Sequence, residues 1–348
     1  MAITLVLLSH AWGPRNPPDM GRLQPLFLQG SLGVRVFFVL SGFLITRLLL
    51  GEHTTTGTIS LKNFYARRAL RIFPVYYLYL LFLAILWSLG LYTDAASSWA
   101  GALTFTRNIV GRGPSATGHF WSLAVEEQFY VLWPAAIVLF HLSSRWRTAV
   151  GLLAAVIAMS FLARLVACPG HSFLCQRVLG VQSAVRYADS LAVGCLLAIL
   201  DARGKIRRAS PAANTVLLSG CTLALIVSAI PWTYGSRLAD STVLSLQAFM
   251  VGGAIYTSTR ARSTALSFRV LNWRPVVYLG LVSYSLYVWH MPFLSGAMGA
   301  MMANLALYDV PLWWLPALLL ASGSYYLYER PIASLKKRFR APGLEAHA

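Results

Sequence analysis

Ionisable side chains inside long apolar segments are the residues of this sequence most suited to chemistry. A charged group inside a lipid bilayer is costly, so such groups are usually paired or functional. His10 lies near the end of the first apolar segment, and Glu126 lies near the start of a later one. Ser122 and Glu126 are four residues apart and would share one face of a helix. A carboxylate on that face could orient an imidazole that acts as a general base.

Other ionisable groups in these segments have both a structural and a functional interpretation. Arg186 and Asp189 are three residues apart on one predicted helix, where they could form a stabilising ion pair or part of a substrate path. His290 lies beside Trp289 near a helix end, so its ring could meet lipid headgroups or support a site. Glu127 could be a solvated carboxylate at the edge of a loop or a second acidic group of the site.

Arg67, Arg68 and Arg71 form a concentrated basic run just before an apolar segment. Such a group of charges can act only as a topology signal, because Lys and Arg are retained in cytoplasmic loops. Arg68 and Arg71 are three residues apart at a helical start, however, so their guanidinium groups could converge on one anion. A phosphate-bearing ligand that enters from the cytoplasm would fit them.

Membrane-spanning helices must position these groups, because the composition excludes a soluble protein. The 348 residues are 57% hydrophobic and 11% charged, whereas soluble domains carry ~25% charged residues. Disorder is excluded too, since disordered chains are poor in apolar residues. The net charge of +18 could indicate nucleic-acid binding, but the basic residues lie in short groups between apolar segments. We therefore predict a lipid bilayer and no nucleic acid as partner.

The apolar segments predict an all-α, polytopic integral membrane protein with about ten transmembrane helices, since each span needs ~17–25 mostly apolar residues. With the N-terminus inside, about two thirds of the lysines and arginines fall on the cytoplasmic side, so both termini are predicted to be cytoplasmic. The predicted spans are Ala2–Trp12, Gly30–Leu50, Ile72–Thr93, Phe120–Leu142, Thr148–Cys168, Val178–Leu200, Ala209–Ser236, Ser241–Thr259, Pro275–Ser295 and Val310–Tyr328.

Domain organisation follows from the same segments. We expect residues 1–335 to form a single membrane domain and residues 336–348 a short basic cytoplasmic tail. The first span is too short to cross the hydrocarbon core, so it is re-entrant or lacks its first turns, and the second interpretation is preferred. Cys168 and Cys175 fall in a predicted outer loop, where they could form a disulfide or remain two free thiols.

Longer motifs connect these residues to a known family. The run GVRVFFVLSGFLIT at 33–46, followed by Arg-Arg-x-x-Arg-Ile-x-Pro at 67–74, closely resembles the acyltransferase 3 family of membrane O-acyltransferases. The run WSLAVEEQFY at 121–130 resembles it as well. Weaker similarities follow at 186–189 and 283–290, and together the motifs cover nearly the whole chain in the family's order.

The resemblance implies a ten-helix bundle that moves an acyl group, commonly acetyl, from cytoplasmic acyl-CoA to a hydroxyl. Acceptors in such families are surface glycans, lipopolysaccharide sugars or glycosylated small molecules. His10 matches the family's essential histidine, Glu126 its motif glutamate, and Arg68 with Arg71 its Arg-x-x-Arg pair. The family pattern also expects a basic residue that would precede Met1, so we expect upstream residues to be missing. We expect no esterase-like domain after the last helix.

The resulting hypothesis gives each residue a role. His10 would take the proton of the acceptor hydroxyl, Glu126 would orient the imidazole, and Arg68 with Arg71 would hold the CoA phosphates. No metal is predicted. Supporting or substrate-contacting roles are assigned to Ser122, Glu127, Arg186, Asp189 and His290.

Two other function classes compete with this hypothesis. A proton-coupled transporter or flippase of a glycan-type substrate would use the same buried ionisable groups as a path. No inverted repeat is visible in the sequence, which counts against a transporter. An assembly scaffold would tolerate the loss of both His10 and Glu126. For the enzyme, we expect a multi-pass location in a bacterial inner membrane.

Overall fold

The computed structural model describes residues 2–12, 30–111, 115–166, 182–206, 210–229, 237–259, 266–294 and 314–339. All the regular elements in these ranges are helical. The helices are α1 (Ala2–Trp12), α2 (Gly30–Thr56), α3 (Leu61–Ser88), α4 (Ala96–Leu103), α5 (Phe120–Leu139), α6 (Trp146–Leu165), α7 (Ala184–Ala202), α8 (Pro211–Ala229), α9 (Arg237–Ser258), α10 (Leu266–Leu271), α11 (Arg274–Trp289), α12 (Met291–Leu294), α13 (Trp314–Ser324) and α14 (Arg330–Ser334). A π turn, Tyr325–Glu329, joins α13 to α14, and a 3-10 turn, Leu335–Phe339, follows.

Within these ranges, six helices are long and apolar enough to cross a membrane: α2, α3, α5, α6, α8 and α9. Helix α7 has 19 residues but carries Arg186, Asp189 and Asp201. Helices α1, α11 and α13 have 11, 16 and 11 residues, fewer than the ~20 that a span needs. The chain is therefore an all-helical, multi-pass membrane protein, and the prediction of about ten spans is not confirmed.

Capping serines mark where two site-bearing helices begin. The Ser60 side chain accepts a hydrogen bond from the backbone N–H of Asn63 at 3.3 Å. Ser183 does the same for the N–H of Arg186, also at 3.3 Å. Each bond satisfies an amide group that the start of a helix leaves without an intrahelical partner. These starts put Arg68 and Asp189 in the second turn of α3 and α7.

Two glycines allow α2 and α7 to cross closely. A Cβ atom on Gly42 would lie 2.1 Å from the carbonyl oxygen of Leu191, and one on Gly194 would lie 2.1 Å from that of Val39. Small residues at a crossing let two helix backbones approach, a common device in membrane proteins. The crossing brings Arg35 of α2 against α7.

The segment between α3 and α5 folds back against both helices. The ring of Phe105 stacks on that of Tyr76 with centroids 4.3 Å apart. The side-chain amide of Gln128 donates to the Phe105 carbonyl at 3.2 Å, and the Tyr76 hydroxyl donates to the Ala102 carbonyl at 2.6 Å. Non-helical backbone at membrane depth is tolerated where protein covers it. This segment is therefore part of the packing around α5.

The C-terminal turns close over the first part of α3. Arg67 forms a salt bridge with Glu52 at 2.9 Å and donates to the carbonyl of Phe339 at 2.6 Å. In the π turn, the buried carboxylate of Glu329 accepts from the Ser285 hydroxyl at 2.6 Å. Residues 336–339, at the start of the predicted tail, thus lie against the bundle.

Candidate active site

Three histidines meet where α1 and α11 end and α5 begins, and we call His10, His119 and His290 the histidine cluster. Nδ1 of His10 and Nε2 of His290 are 3.1 Å apart. The ring centroid of His119 lies 4.9 Å from that of His290, with the rings nearly perpendicular. His290 is 0% exposed, so the interpretation that its ring meets lipid headgroups is wrong.

Backbone carbonyls hold the two buried rings of the histidine cluster. Nδ1 of His290 lies 2.6 Å from the carbonyl oxygen of Tyr287, one turn earlier on α11. Nε2 of His119 lies 3.2 Å from the carbonyl oxygen of Val288. Because a carbonyl can only accept, both of these nitrogens carry the hydrogen. Nδ1 of His119 is then a lone-pair acceptor, and it has no partner among the residues that the structure describes.

Ser122 belongs to the same end of the bundle as the histidine cluster. Its hydroxyl is hydrogen-bonded to the hydroxyl of Tyr287. The Tyr287 hydroxyl in turn donates to the backbone carbonyl of His119 at 2.9 Å. Tyr287 therefore ties α11 to the start of α5 by its side chain while its carbonyl holds His290.

Glu126 has different partners from those expected. Its carboxylate accepts hydrogen bonds from the hydroxyls of Ser41 and Tyr130, the second at 2.5 Å. A rise of ~1.5 Å per residue puts Glu126 about 10 Å beyond His119 along α5. Among the described residues, no hydrogen bond joins this carboxylate to His10. The expected pairing of Glu126 with the His10 ring is therefore corrected: the side chain bonded to that ring is His290.

Arg68 lies beside Glu126 rather than beside the histidine cluster. Its guanidinium carbon is 5.4 Å from the centroid of the Tyr130 ring. The Arg68 charge interacts with the carboxylates of Glu126 and Glu127 and with the Arg71 guanidinium. Glu127 is half-buried, and Arg71 is exposed. The basic pair and the two glutamates thus share one region of the molecule, which includes both groups predicted to bind the donor.

Asp189 is the centre of a second buried cluster. Its Oδ1 lies 3.7 Å from Nη1 of Arg35, and its Oδ2 lies 2.8 Å from Nη2 of Arg164. All three side chains are at most 3% exposed, and we call them the aspartate cluster. Arg164 also donates to the backbone carbonyl of Arg186 at 2.7 Å. The expected pair of Arg186 and Asp189 within one helix is corrected, because the close packing of α2 and α6 on α7 supplies arginines from other helices.

Several polar residues of these clusters were missed in the sequence. The signal was present for His119 and Tyr287, since each lies one turn from a predicted residue within a polar, aromatic motif. Ser41 lies inside the first family motif, but nothing in its spacing indicates Glu126 as partner. The predicted Cys168–Cys175 pair lies outside the described residues. Within the described ranges, no group of three metal-ligating side chains is arranged to hold a metal ion.

Comparison with known proteins gives family-level matches over most of the chain. OatA of Listeria monocytogenes, a peptidoglycan O-acetyltransferase, is 25% identical over 301 residues, which is 76% of this chain and 45% of OatA. YrhL of Bacillus subtilis, named as a proposed peptidoglycan O-acetyltransferase, is 28% identical over 333 residues, 87% of this chain and 50% of YrhL. A Staphylococcus aureus (strain COL) protein, named as a proposed O-acetyltransferase, is 28% identical over 294 residues, 76% of this chain and 46% of that protein.

The chain spans about half the length of these curated relatives. No solved structure gives a significant match. The model of a family described as an acyltransferase domain matches residues 1–337. That match includes the three helix ends that form the histidine cluster and the region around Arg68 and Glu126. The chain therefore belongs to the acyltransferase 3 family of membrane acyltransferases.

Proposed function

We propose that this protein transfers an acyl group, acetyl in the first instance, from cytoplasmic acyl-CoA to a hydroxyl of a carbohydrate or glycosylated small molecule. Family membership and the names of the relatives support O-acyl transfer. The observation that supports the proposal is the hydrogen bond at 3.1 Å between the half-buried ring of His10, the candidate histidine, and the fully buried ring of His290.

His10 acts as the general base in this proposal. The acceptor oxygen attacks the carbonyl carbon of the thioester while an imidazole nitrogen of His10 takes the hydroxyl proton. The carbon–sulfur bond then breaks, and the proton passes to the thiolate to give free CoA. An imidazole suits both steps, because its ordinary pKa of ~6.5 lies near the working pH.

Arg68, Arg71 and Glu126 form the donor half of the proposed site. Arg71 is exposed, so its guanidinium is available to a phosphate group that arrives from water. Glu126 fixes the hydroxyls of Ser41 and Tyr130 beside Arg68. In this arrangement Glu126 shapes the path of the donor rather than orienting the base. The region of Arg68 and Glu126 and the histidine cluster that contains His10 are about two to three helical turns apart, measured along α3 and α5. The extended pantetheine arm can cover that separation.

The acceptor class follows from the relatives. OatA is named for peptidoglycan O-acetylation, so glycan hydroxyls of the bacterial cell envelope are the first acceptors to test. An inner-membrane location would give the donor half access to cytoplasmic acyl-CoA and the histidine cluster access to acceptors on the other side. Both termini would then be cytoplasmic, as the distribution of lysine and arginine favours.

The proposed function can be tested with the full chain in lipid nanodiscs. Radiolabelled acetyl-CoA is supplied with soluble peptidoglycan fragments, and label on the glycan and release of free CoA thiol are both measured. We expect labelled glycan from the wild type and at least a 100-fold loss of label with His10→Ala, since general base catalysis contributes about 10²–10⁴-fold. Label at the wild-type rate in His10→Ala would overturn the assignment of the base.

A transport function would give a different result in the same preparation. When the chain is reconstituted in sealed vesicles, a transporter would move the glycan fragment across the bilayer without labelling it. Vesicles that contain His10→Ala provide the matched comparison. Movement of unlabelled acceptor in the wild type, with no ester formed, would refute the acyltransferase proposal.

A further inference from the structure

The contacts of His290 determine which of its two nitrogens carries hydrogen. Nδ1 lies 2.6 Å from the carbonyl oxygen of Tyr287. A carbonyl oxygen can only accept a hydrogen bond, so Nδ1 must donate. In a neutral imidazole the other nitrogen is then an acceptor. Nε2 of His290 therefore presents a lone pair toward His10.

The same reasoning assigns the hydrogen of His10. Its Nδ1 lies 3.1 Å from that Nε2 lone pair of His290. Two lone pairs cannot form a hydrogen bond, so Nδ1 of His10 must carry the hydrogen and donate it. The backbone carbonyl of Val6, which also hydrogen-bonds with the His10 ring, is an acceptor as well. A neutral His10 ring held in this way keeps its lone pair on Nε2, the nitrogen that can take a proton from an incoming group.

The surroundings of His290 keep its ring in this orientation. The side chain is 0% exposed at the end of α11. The rings of His119 and Tyr287 lie 4.9 and 5.5 Å away, centroid to centroid. Turning the imidazole over would break the bonds to both Tyr287 and His10 in a place where a buried, unpaired polar group costs about 1–3 kcal/mol. The ring is therefore fixed by packing and by two hydrogen bonds.

We propose that His290 is a positioning residue for acyl transfer: it holds His10 as the tautomer with hydrogen on Nδ1, so that Nε2 is the base. This inference rests on the proposed function. As the acceptor oxygen bonds to the thioester carbon, its proton moves to Nε2 of His10, and the same proton leaves with the departing thiolate. The Nδ1–H···Nε2 bond to His290 persists throughout and stabilises the transient imidazolium, a role that a carboxylate plays in Ser-His-Asp enzymes.

Two amide variants separate the two hydrogen bonds of His290. In His290→Gln the longer side chain puts its oxygen near the position of Nε2, where it can still accept from His10. In His290→Asn the shorter amide reaches the position of Nδ1 and can keep the bond to Tyr287, but it cannot reach His10. The two substitutions are alike in polarity, so a purely structural role for His290 predicts similar losses for both.

The matched control is Trp289→Phe on the adjacent residue. The centroid of the Trp289 ring lies 5.4 Å from that of Tyr79 and 5.3 Å from that of Phe82. Its indole nitrogen has no hydrogen-bond partner among the described residues. The substitution therefore perturbs packing at the same helix end without removing a hydrogen bond of the histidine cluster.

The experiment measures kcat and the KM for acetyl-CoA from release of free CoA thiol, with the full chain in nanodiscs and either peptidoglycan fragments or water as nucleophile. We expect His290→Asn to lower kcat about 100-fold, with KM within twofold of wild type. We expect His290→Gln to stay within about tenfold and Trp289→Phe within about threefold of the wild-type kcat.

Equal kcat losses in His290→Asn and His290→Gln, or a His290→Asn kcat equal to that of Trp289→Phe, would overturn the positioning role. His10→Ala, measured beside them, separates this failure from failure of the proposed function. If His10→Ala is inactive while His290→Asn is fully active, only the role of His290 is lost. If His10→Ala itself remains active, the proposed base is wrong, and the role of His290 falls with it.

Discussion

The aspartate cluster and the histidine cluster are both polar, but they differ in the kind of buried atom that has no hydrogen-bond partner among the described residues. In the aspartate cluster these atoms are the Nε–H donors of Arg35 and Arg164, and in the histidine cluster the atom is the lone-pair nitrogen Nδ1 of His119. Both carboxylate oxygens of Asp189 meet guanidinium groups, and the Ser190 hydroxyl donates to Oδ1 at 3.3 Å. In the histidine cluster, by contrast, His10 and His290 are hydrogen-bonded to each other, and lone pairs remain on Nε2 of His10 and Nδ1 of His119. An Nε–H group of arginine can only donate a hydrogen bond, so it cannot take a proton from a substrate. A group that keeps an acceptor available can still exchange a proton with a substrate.

The aspartate cluster and the histidine cluster also differ in net charge. Arg35, Arg164 and Asp189 carry a net positive charge in a site that is almost closed to water. Removing one member of a buried ion pair leaves an uncompensated charge, which costs more than the pair itself contributes. The histidine rings are neutral in the arrangement derived above, so losing one costs less stability but removes a proton acceptor. Stability and activity should therefore respond differently to substitution in the two clusters.

The largest expected effect on stability is that of Asp189→Ala. The substitution leaves two buried guanidinium groups without their carboxylate, and we expect a loss of about 3–5 kcal/mol in the free energy of unfolding. Thermal unfolding of the detergent-solubilised protein measures it. Asp240→Ala, which removes an exposed carboxylate from α9, is the control and should change stability by less than about 0.5 kcal/mol. Equal unfolding temperatures for the two variants would show that the aspartate cluster is not structural.

Glu126→Gln tests whether the half-buried Glu126 belongs to the donor half of the site or to the histidine cluster. A carboxylate that accepts from two hydroxyls contributes about 1.5–3 kcal/mol per charge-assisted bond, so some loss of stability is expected. If Glu126 belongs to the donor half, the KM for acetyl-CoA should rise about tenfold while kcat changes by less than about threefold. Tyr130→Phe removes one of the two hydroxyl donors and should shift KM in the same direction by a smaller factor. A fall in kcat with unchanged KM would instead show that Glu126 acts together with the histidine cluster.

The residue types of the site could be predicted from the sequence, but their pairing could not. His10, Glu126, Arg68 and Arg71 stand out because ionisable groups are rare in apolar segments and because they fall in long motifs. Periodicity links residues within one helix, which is why Arg186 was expected to pair with Asp189. The actual contacts join distant helices: 280 positions separate His10 from His290. Such contacts depend on which helix ends meet, and local patterns carry no information about that.

The membrane class of the fold was predictable for a related reason. Hydropathy acts over about 20 residues, so α2, α3, α5, α6, α8 and α9 are recognisable as spans from their own composition. Hydropathy does not reveal that the segment around Phe105 folds back between α3 and α5, because aromatic stacking and the Gln128 amide stabilise it there. The close crossing of α2 and α7 likewise depends on Gly42 meeting a particular carbonyl.

Arg71→Gln extends the comparison to an arginine outside both clusters. The Arg71 side chain is exposed, unlike Arg35 and Arg164, so its loss should cost little stability. As a phosphate-binding group it should raise the KM for acetyl-CoA about tenfold with little change in kcat, and added salt should reduce the difference. Lys337→Gln, at an exposed basic residue of the C-terminal turn, is the control for lost charge alone. If Arg71→Gln and Lys337→Gln have the same KM for acetyl-CoA, Arg71 does not bind the donor.

The smallest expected effects are those of removing one serine hydroxyl from the aspartate cluster and one from beside the histidine cluster. Ser190→Ala removes a hydroxyl that lies 3.4 Å from Nη1 of Arg35 and donates to Asp189. Ser122→Ala removes the hydroxyl bonded to Tyr287 beside His119. Each should lower stability by about 1 kcal/mol, the usual net worth of a hydrogen bond. Activity per folded molecule should be unchanged in Ser190→Ala, since the aspartate cluster only supports the bundle.

Ser122→Ala should lower kcat several-fold at equal stability, because Tyr287 carries both this bond and the carbonyl that holds His290. Activity divided by the folded fraction, taken from fluorescence-detected size-exclusion chromatography, separates the two variants. If the two serine variants lose the same activity per folded molecule, the histidine cluster and the aspartate cluster do not differ in their contribution to activity. If only Ser122→Ala loses activity, the loss of a hydroxyl at the start of α5 affects the base through Tyr287. The value of kcat then depends on contacts between the ends of these helices.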